Sequence, residues 1–208
     1  MAAVRIKFCG LTRPEDVRAA LDLGVDALGF NLAKGPRRIS VERARELAAL
    51  APPFVTTVAL FVDADEATIL AAMAATRCQA AQLHGGEPAA LAARIQARFP
   101  VVKAFAVRDR AAVEAMRGYP ADAYLLDAPP AAGLTGGTGA GWDHGLIAGV
   151  EVGRPVVLAG GLRAENVAAA IASVRPWAVD VSSGIEAVPG IKDPVRMRAF
   201  VEACRGAR

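Results

Sequence analysis

Eight short apolar runs rich in β-branched residues recur along this chain, and a stretch dominated by Ala, Leu, Arg and Glu follows each one. Such runs, bounded by turn residues, read as buried strands, and the stretches between them read as helices. The predicted strands are Val4–Cys9, Ala27–Asn31, Thr56–Phe61, Ala80–His84, Val101–Phe105, Ala123–Asp127, Pro155–Ala159 and Ala178–Ser182. The predicted helices are Pro14–Leu23, Val41–Leu50, Asp65–Ala75, Pro88–Phe99, Arg110–Arg117, a short one at Asp143–Ile147, Ala164–Ser173 and Pro194–Arg205. Helix starts carry fitting residues: Thr12 then Pro14 with Glu15 and Asp16, and Ser40 before Val41 and Glu42. Repeated βα units imply a parallel sheet covered by helices. Eight of them in 208 residues favour a closed (β/α)8 barrel, a single domain over residues 1–208. A doubly wound open sheet is the alternative that alternation alone leaves open.

Period-two parity assigns faces within these strands. Ile6 and Phe8 share one face of the first strand, and Arg5, Lys7 and Cys9 share the other. Gln82 pairs with His84, Leu125 with Asp127, and Asp180 with Ala178 and Ser182. The apolar faces suit a helix layer. The polar faces would bring Lys7, Gln82, Lys103 and Asp180 into the barrel interior, where a charge must be paired. First and last strands are neighbours in a closed barrel, so a Lys7–Asp180 contact is predicted.

Composition narrows the function. Hydrophobic residues make up 54% and charged residues 22%, as in a soluble globular protein. The net charge of +3 comes from scattered Lys and Arg, which suits an anionic small substrate better than nucleic acid. Cys9, Cys78 and Cys204 are far apart, odd in number and without CxxC spacing, so neither a disulfide framework nor a zinc site is expected. The N-terminus lacks the apolar core of a signal peptide, and no run is long enough to span a membrane. The expected location is the cytoplasm. The apolar segment Ala51–Phe54 would either fold back on the barrel or pack in a dimer, which leaves monomer and homodimer both open.

Chemistry in such barrels gathers at the C-terminal ends of the strands. Those ends hold Cys9, Asn31, Asp63, His84, Asp127, Gly160–Gly161 and Ser182–Ser183–Gly184. The last two sets close adjacent strands with small residues, which let backbone N–H groups approach an anion. Gly160, Gly161, Ser183 and Gly184 are therefore candidate phosphate ligands, against the plainer reading as tight turns. Cys9 is either a small core residue or a reactive thiol. Its place before Gly10 argues for exposure, and Lys7 on the same face would lower its pKa. Cys78 and Cys204 lack that setting and read as core. Asp127 ends the apolar run AYLLD and would act as a general acid where its surroundings keep it protonated. His84 and Asp180 are candidate substrate contacts. Arg37, in the loop after the second strand, would clamp a carboxylate, although Arg38 beside it offers the same chemistry. The Gly-rich run Gly133–Gly141 reads as a long functional loop.

These ends together resemble the phosphoribosylanthranilate isomerase family. The matching stretches are KFCGLTRPED, DALGF followed by PRRIS, VALFVD, QLHGGE, LLDAPP followed by GGTGAGWD, LAGGLRAENV and VDVSSGIEAVPGIKD, in order from Lys7 to Asp193. The resemblance implies a (β/α)8 barrel and an Amadori rearrangement in tryptophan biosynthesis, with no cofactor and no metal. N-(5-phosphoribosyl)anthranilate would become 1-(2-carboxyphenylamino)-1-deoxyribulose 5-phosphate. It further implies Cys9 as general base, Asp127 as general acid and Arg37 facing the anthranilate carboxylate. Gly160, Gly161, Ser183 and Gly184 match the family's phosphate cradle.

Two other readings keep the barrel. A metal-dependent sugar-phosphate epimerase would use His84 and Asp127 as ligands, but such sites gather several His and Asp, and this chain has two histidines in all. A non-catalytic binder of a phosphorylated metabolite would keep the glycines without needing both Cys9 and Asp127.

Overall fold

The computed structural model describes residues 3–129, 143–147 and 149–207. Eight parallel strands close into a barrel in sequence order: β1 (Arg5–Phe8), β2 (Ala27–Asn31), β3 (Thr56–Phe61), β4 (Ala80–Leu83), β5 (Val101–Ala106), β6 (Ala123–Asp127), β7 (Val156–Leu158) and β8 (Ala178–Val181). The doubly wound alternative is thereby excluded, because β8 pairs directly with β1. The helices are α1 (Pro14–Asp22), α2 (Val41–Ala48), α3 (Glu66–Thr76), α4 (Ala89–Gln96), α5 (Arg110–Ala115), α6 (Ala164–Val174) and α7 (Pro194–Gly206). The helix predicted at 143–147 is a 3₁₀ turn at His144–Leu146. The Gly-rich segment Gly133–Gly141 lies outside the described residues.

The alternation of side chains divides the core in two. Ile6, Phe8, Leu28, Phe30, Phe61, Leu83, Leu126 and Val179 face outward and pack against helix residues such as Val17, Leu47, Ile69, Ile95 and Phe200. The Phe8 and Phe200 rings meet edge to face at 6.1 Å, which ties the first strand to the last helix. A smaller apolar cluster of Ala104, Ala123, Leu125, Val157, Ala159 and Ala178 belongs to the opposite faces and fills one side of the barrel interior. The other side holds buried polar groups, Lys7, Gln82 and Asp180.

Local chemistry sets most helix starts. Ser40 Oγ accepts from Arg43 N at the start of α2, and Asp65 Oδ1 accepts from Thr68 N at the start of α3. Thr12 does not cap α1. Arg13 holds that position, and the Thr12 hydroxyl donates to Gly190 O at 2.6 Å. Gly190 belongs to a feature absent from the βα pattern, an antiparallel hairpin of β9 (Glu186–Val188) and β10 (Ile191–Lys192) after β8. Its turn leans on the loop after β2: a Cβ at Gly190 would lie 3.0 Å from Pro36 O. The segment Ala51–Phe54 divides: Ala51 packs against the core, whereas Phe54 is fully exposed.

One parity assignment is corrected. Lys103 does not point into the barrel. In β5, Ala104 lies beside Leu125 of the interior cluster, which turns Lys103 outward beside Tyr124. There it finds Glu87, the first acidic side chain after β4, at 2.7 Å, and both are buried. Lys103 also donates to Gly85 O at 2.5 Å, and Glu87 accepts from the Gly85 and Asp63 amides. The pair pins the loop that follows β4 and begins with His84.

Candidate active site

At the C-terminal ends of the strands lies a cavity of about 510 Å³, a volume suited to a small organic ligand. Cys9, Arg37, His84, Asp127 and Asp180 all line it, together with Gly160, Gly161 and Ser183. Residues dispersed from position 9 to 183 meet there because each lies close to, or just after, the C-terminal end of a parallel strand.

Lys7 organises the floor. β1 and β8 pair with Lys7 opposite Asp180, and Lys7 Nζ lies 2.7 Å from Asp180 Oδ1. The ammonium also donates to Gln82 Oε1 at 2.9 Å. Burial alone would lower the Lys7 pKa, but the Asp180 carboxylate, with help from the Cys9 sulfur, outweighs it and raises it to about 12.

Cys9 departs from expectation in two ways. It is 7% exposed, buried at the cavity wall instead of raised above it. Burial also pushes its thiol pKa up, and Asp180 adds to that, while Lys7 and Lys192 pull it back only in part. Burial and Asp180 together thus favour the neutral thiol over the thiolate. Space for the sulfur comes from β2: a Cβ at Gly29 would lie 2.8 Å from Cys9 Sγ and 3.2 Å from Lys7 Nζ.

Arg37, not Arg38, faces the cavity. Arg38 is exposed and its backbone bridges to Asn31. The Arg37 guanidinium is held edge-on by Glu186, with Nε–Oε1 and Nη2–Oε2 both 2.7 Å. Glu186 also accepts from Lys192 Nζ at 2.9 Å. Gly10 makes this packing possible, since a Cβ there would come within 2.6 Å of Arg37 Cδ, and its φ is +69°. Sequence reasoning passed over Glu186 and Lys192, both on the hairpin. The Pro189–Gly190 pair, flanked by Val188 and Ile191, was the signal that could have revealed them.

His84 and Asp127 face each other across the cavity, Nε2 to Oδ2 at 3.3 Å, and His84 Nδ1 lies 2.8 Å from Gln82 Nε2. The other Asp127 oxygen accepts from Ala128 N at 2.8 Å. The ends of β6 and β7 crowd together here, so that a Cβ on Gly160 would fall 2.4 Å from Ala128 N. Gly160 and Gly161 both have positive φ, +86° and +66°. Gly184 is equally constrained, since a Cβ would fall 1.9 Å from Leu162 O. The tight-turn reading thus holds for these glycines, and it leaves their amides spare: the N–H groups of Gly160, Gly161, Ser183 and Gly184 have no protein acceptor among the described residues. Asn166 secures the loop by donating to Gly161 O at 2.9 Å.

Cys78 and Cys204 are buried outside this cavity, as core residues. Among the described residues no three His, Cys, Asp or Glu side chains gather at metal-binding range. No helix among them is long and apolar enough to cross a membrane.

A sequence model of the N-(5'-phosphoribosyl)anthranilate isomerase family matches residues 6–203. The N-(5'-phosphoribosyl)anthranilate isomerase of Pseudomonas fluorescens is 46% identical over 208 residues, covering 99% of this chain and all of its own. The crystal structure of the Thermotoga maritima phosphoribosyl anthranilate isomerase superposes with a TM-score of 0.90 at 40% identity, covering 98% of this chain and 99% of that one. A further isomerase structure, solved with reduced 1-(o-carboxyphenylamino)-1-deoxyribulose 5-phosphate, gives 0.85 at 38% identity, with 98% and 99% covered.

Proposed function

The chain belongs to the N-(5'-phosphoribosyl)anthranilate isomerase family, an isomerase of tryptophan biosynthesis, and on that premise we propose that Cys9 is its general base and Asp127 its general acid. The observation that carries the assignment is that one cavity at the strand ends holds both groups, with a guanidinium and a ring of spare backbone amides around them.

The substrate has two anionic ends. The spare N–H groups of Gly160, Gly161, Ser183 and Gly184 suit the phosphate, as backbone amides at strand ends do in other barrels. Arg37 suits the anthranilate carboxylate: Glu186 occupies its Nε and Nη2 edge, and Nη1 has no protein partner among the described residues. Between these anchors lies the ribose. Asp127 protonates the furanose ring oxygen, the C1–O bond breaks, and the anilino nitrogen becomes a protonated Schiff base. Cys9 as thiolate then takes the C2 proton, and the C2–H electrons pass through C1 to the iminium nitrogen. The resulting enolamine tautomerises to the ketose. The iminium nitrogen serves as electron sink, and the proposed steps use neither cofactor nor metal.

Cys9 has to lose its proton for this step. Lys7 and Lys192 are the cations that favour the thiolate. The proposal extends to a single 208-residue domain working in the cytoplasm, as a monomer or homodimer, on a small phosphorylated substrate and without nucleic acid or membrane. The test is to add purified protein to N-(5'-phosphoribosyl)anthranilate and follow the loss of its fluorescence. Turnover that is unchanged by a chelator supports the reading, and absence of turnover contradicts it.

A further inference from the structure

Five side chains form a continuous run through the barrel from the base side of the cavity to the acid side. Asp180 Oδ1 lies 2.7 Å from Lys7 Nζ, and Lys7 Nζ lies 2.9 Å from Gln82 Oε1. Gln82 Nε2 lies 2.8 Å from His84 Nδ1, and His84 Nε2 lies 3.3 Å from Asp127 Oδ2. Gln82, at the centre, is fully buried at 0% exposure.

Proton inventory fixes the direction of this run. An ammonium can only donate, so the Gln82 atom facing Lys7 is the carbonyl oxygen. The amide nitrogen must then face His84, and because it too only donates, Nδ1 is an acceptor. A neutral imidazole accepting at Nδ1 carries its hydrogen on Nε2, the atom turned towards Asp127. We infer that Gln82 is a positioning residue that locks His84 as the Nε2–H tautomer, so that an N–H is aimed at the Asp127 oxygen where negative charge appears when the acid gives up its proton. The 3.3 Å separation is loose for a charge-assisted hydrogen bond, and such contacts tighten as charge develops. A donor fixed in advance stabilises the transition state without reorganising, whereas the other tautomer would turn a lone pair on the forming carboxylate. The inference rests on the assignment of Asp127 as general acid.

The Lys103–Glu87 pair supports the arrangement from outside. It holds the segment Gly85–Glu87 immediately after His84, with Tyr119 OH donating to Glu87 O at 2.7 Å. His84 is therefore fixed by the loop and its ring by Gln82.

The chain has two histidines, so ¹⁵N-labelled imidazole signals can be assigned by their loss in His84→Gln. The expected result in the parent protein is an Nε2–H tautomer for His84, with an acceptor-type Nδ1. Gln82→Glu should reverse it, because a carboxylate can only accept and demands a hydrogen on Nδ1. Gln82→Leu should release the lock and lower kcat by about 10- to 100-fold, with KM moving less than about threefold. A parent protein showing Nδ1–H or mixed tautomers overturns the inference without any variant having to fold. So does a folded Gln82→Leu protein with the parent's kcat. The NMR reading needs no turnover, so failure of the tautomer lock is distinguishable from failure of the Asp127 assignment, which full activity in Asp127→Asn would reveal.

Discussion

Lys7 and Asp180 stand opposite each other where the last strand of the barrel meets the first, with Nζ and Oδ1 2.7 Å apart and both residues less than 9% exposed. Closure of the barrel and organisation of the site are therefore one structural event. Removing one partner leaves a buried charge unpaired, which costs about 3–5 kcal/mol. Lys7→Met should accordingly lose about that much stability in urea unfolding. The Lys7→Met/Asp180→Asn pair should lose less than the sum of the two single changes. An additive result would mean that the two side chains do not share their energy.

The Cys9 thiol supplies a second expectation. Burial raises its pKa above the ordinary value, with Lys7 and Lys192 opposing. Alkylation by iodoacetamide follows the thiolate fraction, so the rate at Cys9 should climb about tenfold per pH unit and still be climbing at pH 9. Peptide mass spectrometry should find Cys9 modified ahead of Cys78 and of Cys204, whose thiol burial lifts to about 12. Levelling below pH 8 would show that the free enzyme already holds a thiolate.

Glu186 ties stability to acid. Burial would raise its carboxyl, but Arg37 and Lys192 outweigh that and hold it below the usual value. A depressed carboxylate stabilises the fold above its unfolded pKa of about 4.3, and that share is lost as pH falls through the lower folded value. The parent protein should thus lose stability below about pH 4.5 more steeply than Glu186→Gln. At neutral pH the same variant frees Arg37 from its bidentate hold, and KM should rise about tenfold with a smaller change in kcat. Equal acid slopes in the two proteins would contradict the pairing.

Gly160 tests the crowded join between the ends of β6 and β7. A methyl group there meets Ala128 N at 2.4 Å and Asp127 Oδ1 at 2.9 Å, on a residue with φ of +86°. Gly160→Ala should cost about 2 kcal/mol or more and lower activity beyond any loss of folded protein, because the Asp127 carboxyl shifts with it. Unfolding curves beside kcat measure both. A neutral substitution would mean that the amides at this join are not held in place by close packing.

The barrel was legible in the sequence because each βα unit announces itself locally, through apolar runs, caps and turn residues. Strands Ala27–Asn31, Thr56–Phe61 and Ala123–Asp127 have the bounds that composition gives them. Lys7–Asp180 was legible because parity and closure together leave one partner for a buried ammonium. Lys103 was misplaced because the register of β5, which decides its face, is set by neighbouring strands and not by the strand itself. The Glu186 hold on Arg37 was hidden because it depends on a hairpin that packs back across more than a hundred residues of sequence, and the burial of Cys9 because it depends on how closely Gly29 of the neighbouring strand packs against the sulfur.

The most direct test of the account is the turnover of Cys9→Ala and Asp127→Asn, measured by the loss of N-(5'-phosphoribosyl)anthranilate fluorescence. Circular dichroism should first show each variant folded like the parent. Each should then lose at least about 10²- to 10⁴-fold in kcat, the share a positioned acid or base contributes, with KM changed only a few-fold. Either variant, folded and turning over within tenfold of the parent, would contradict the assignment of that residue to proton transfer.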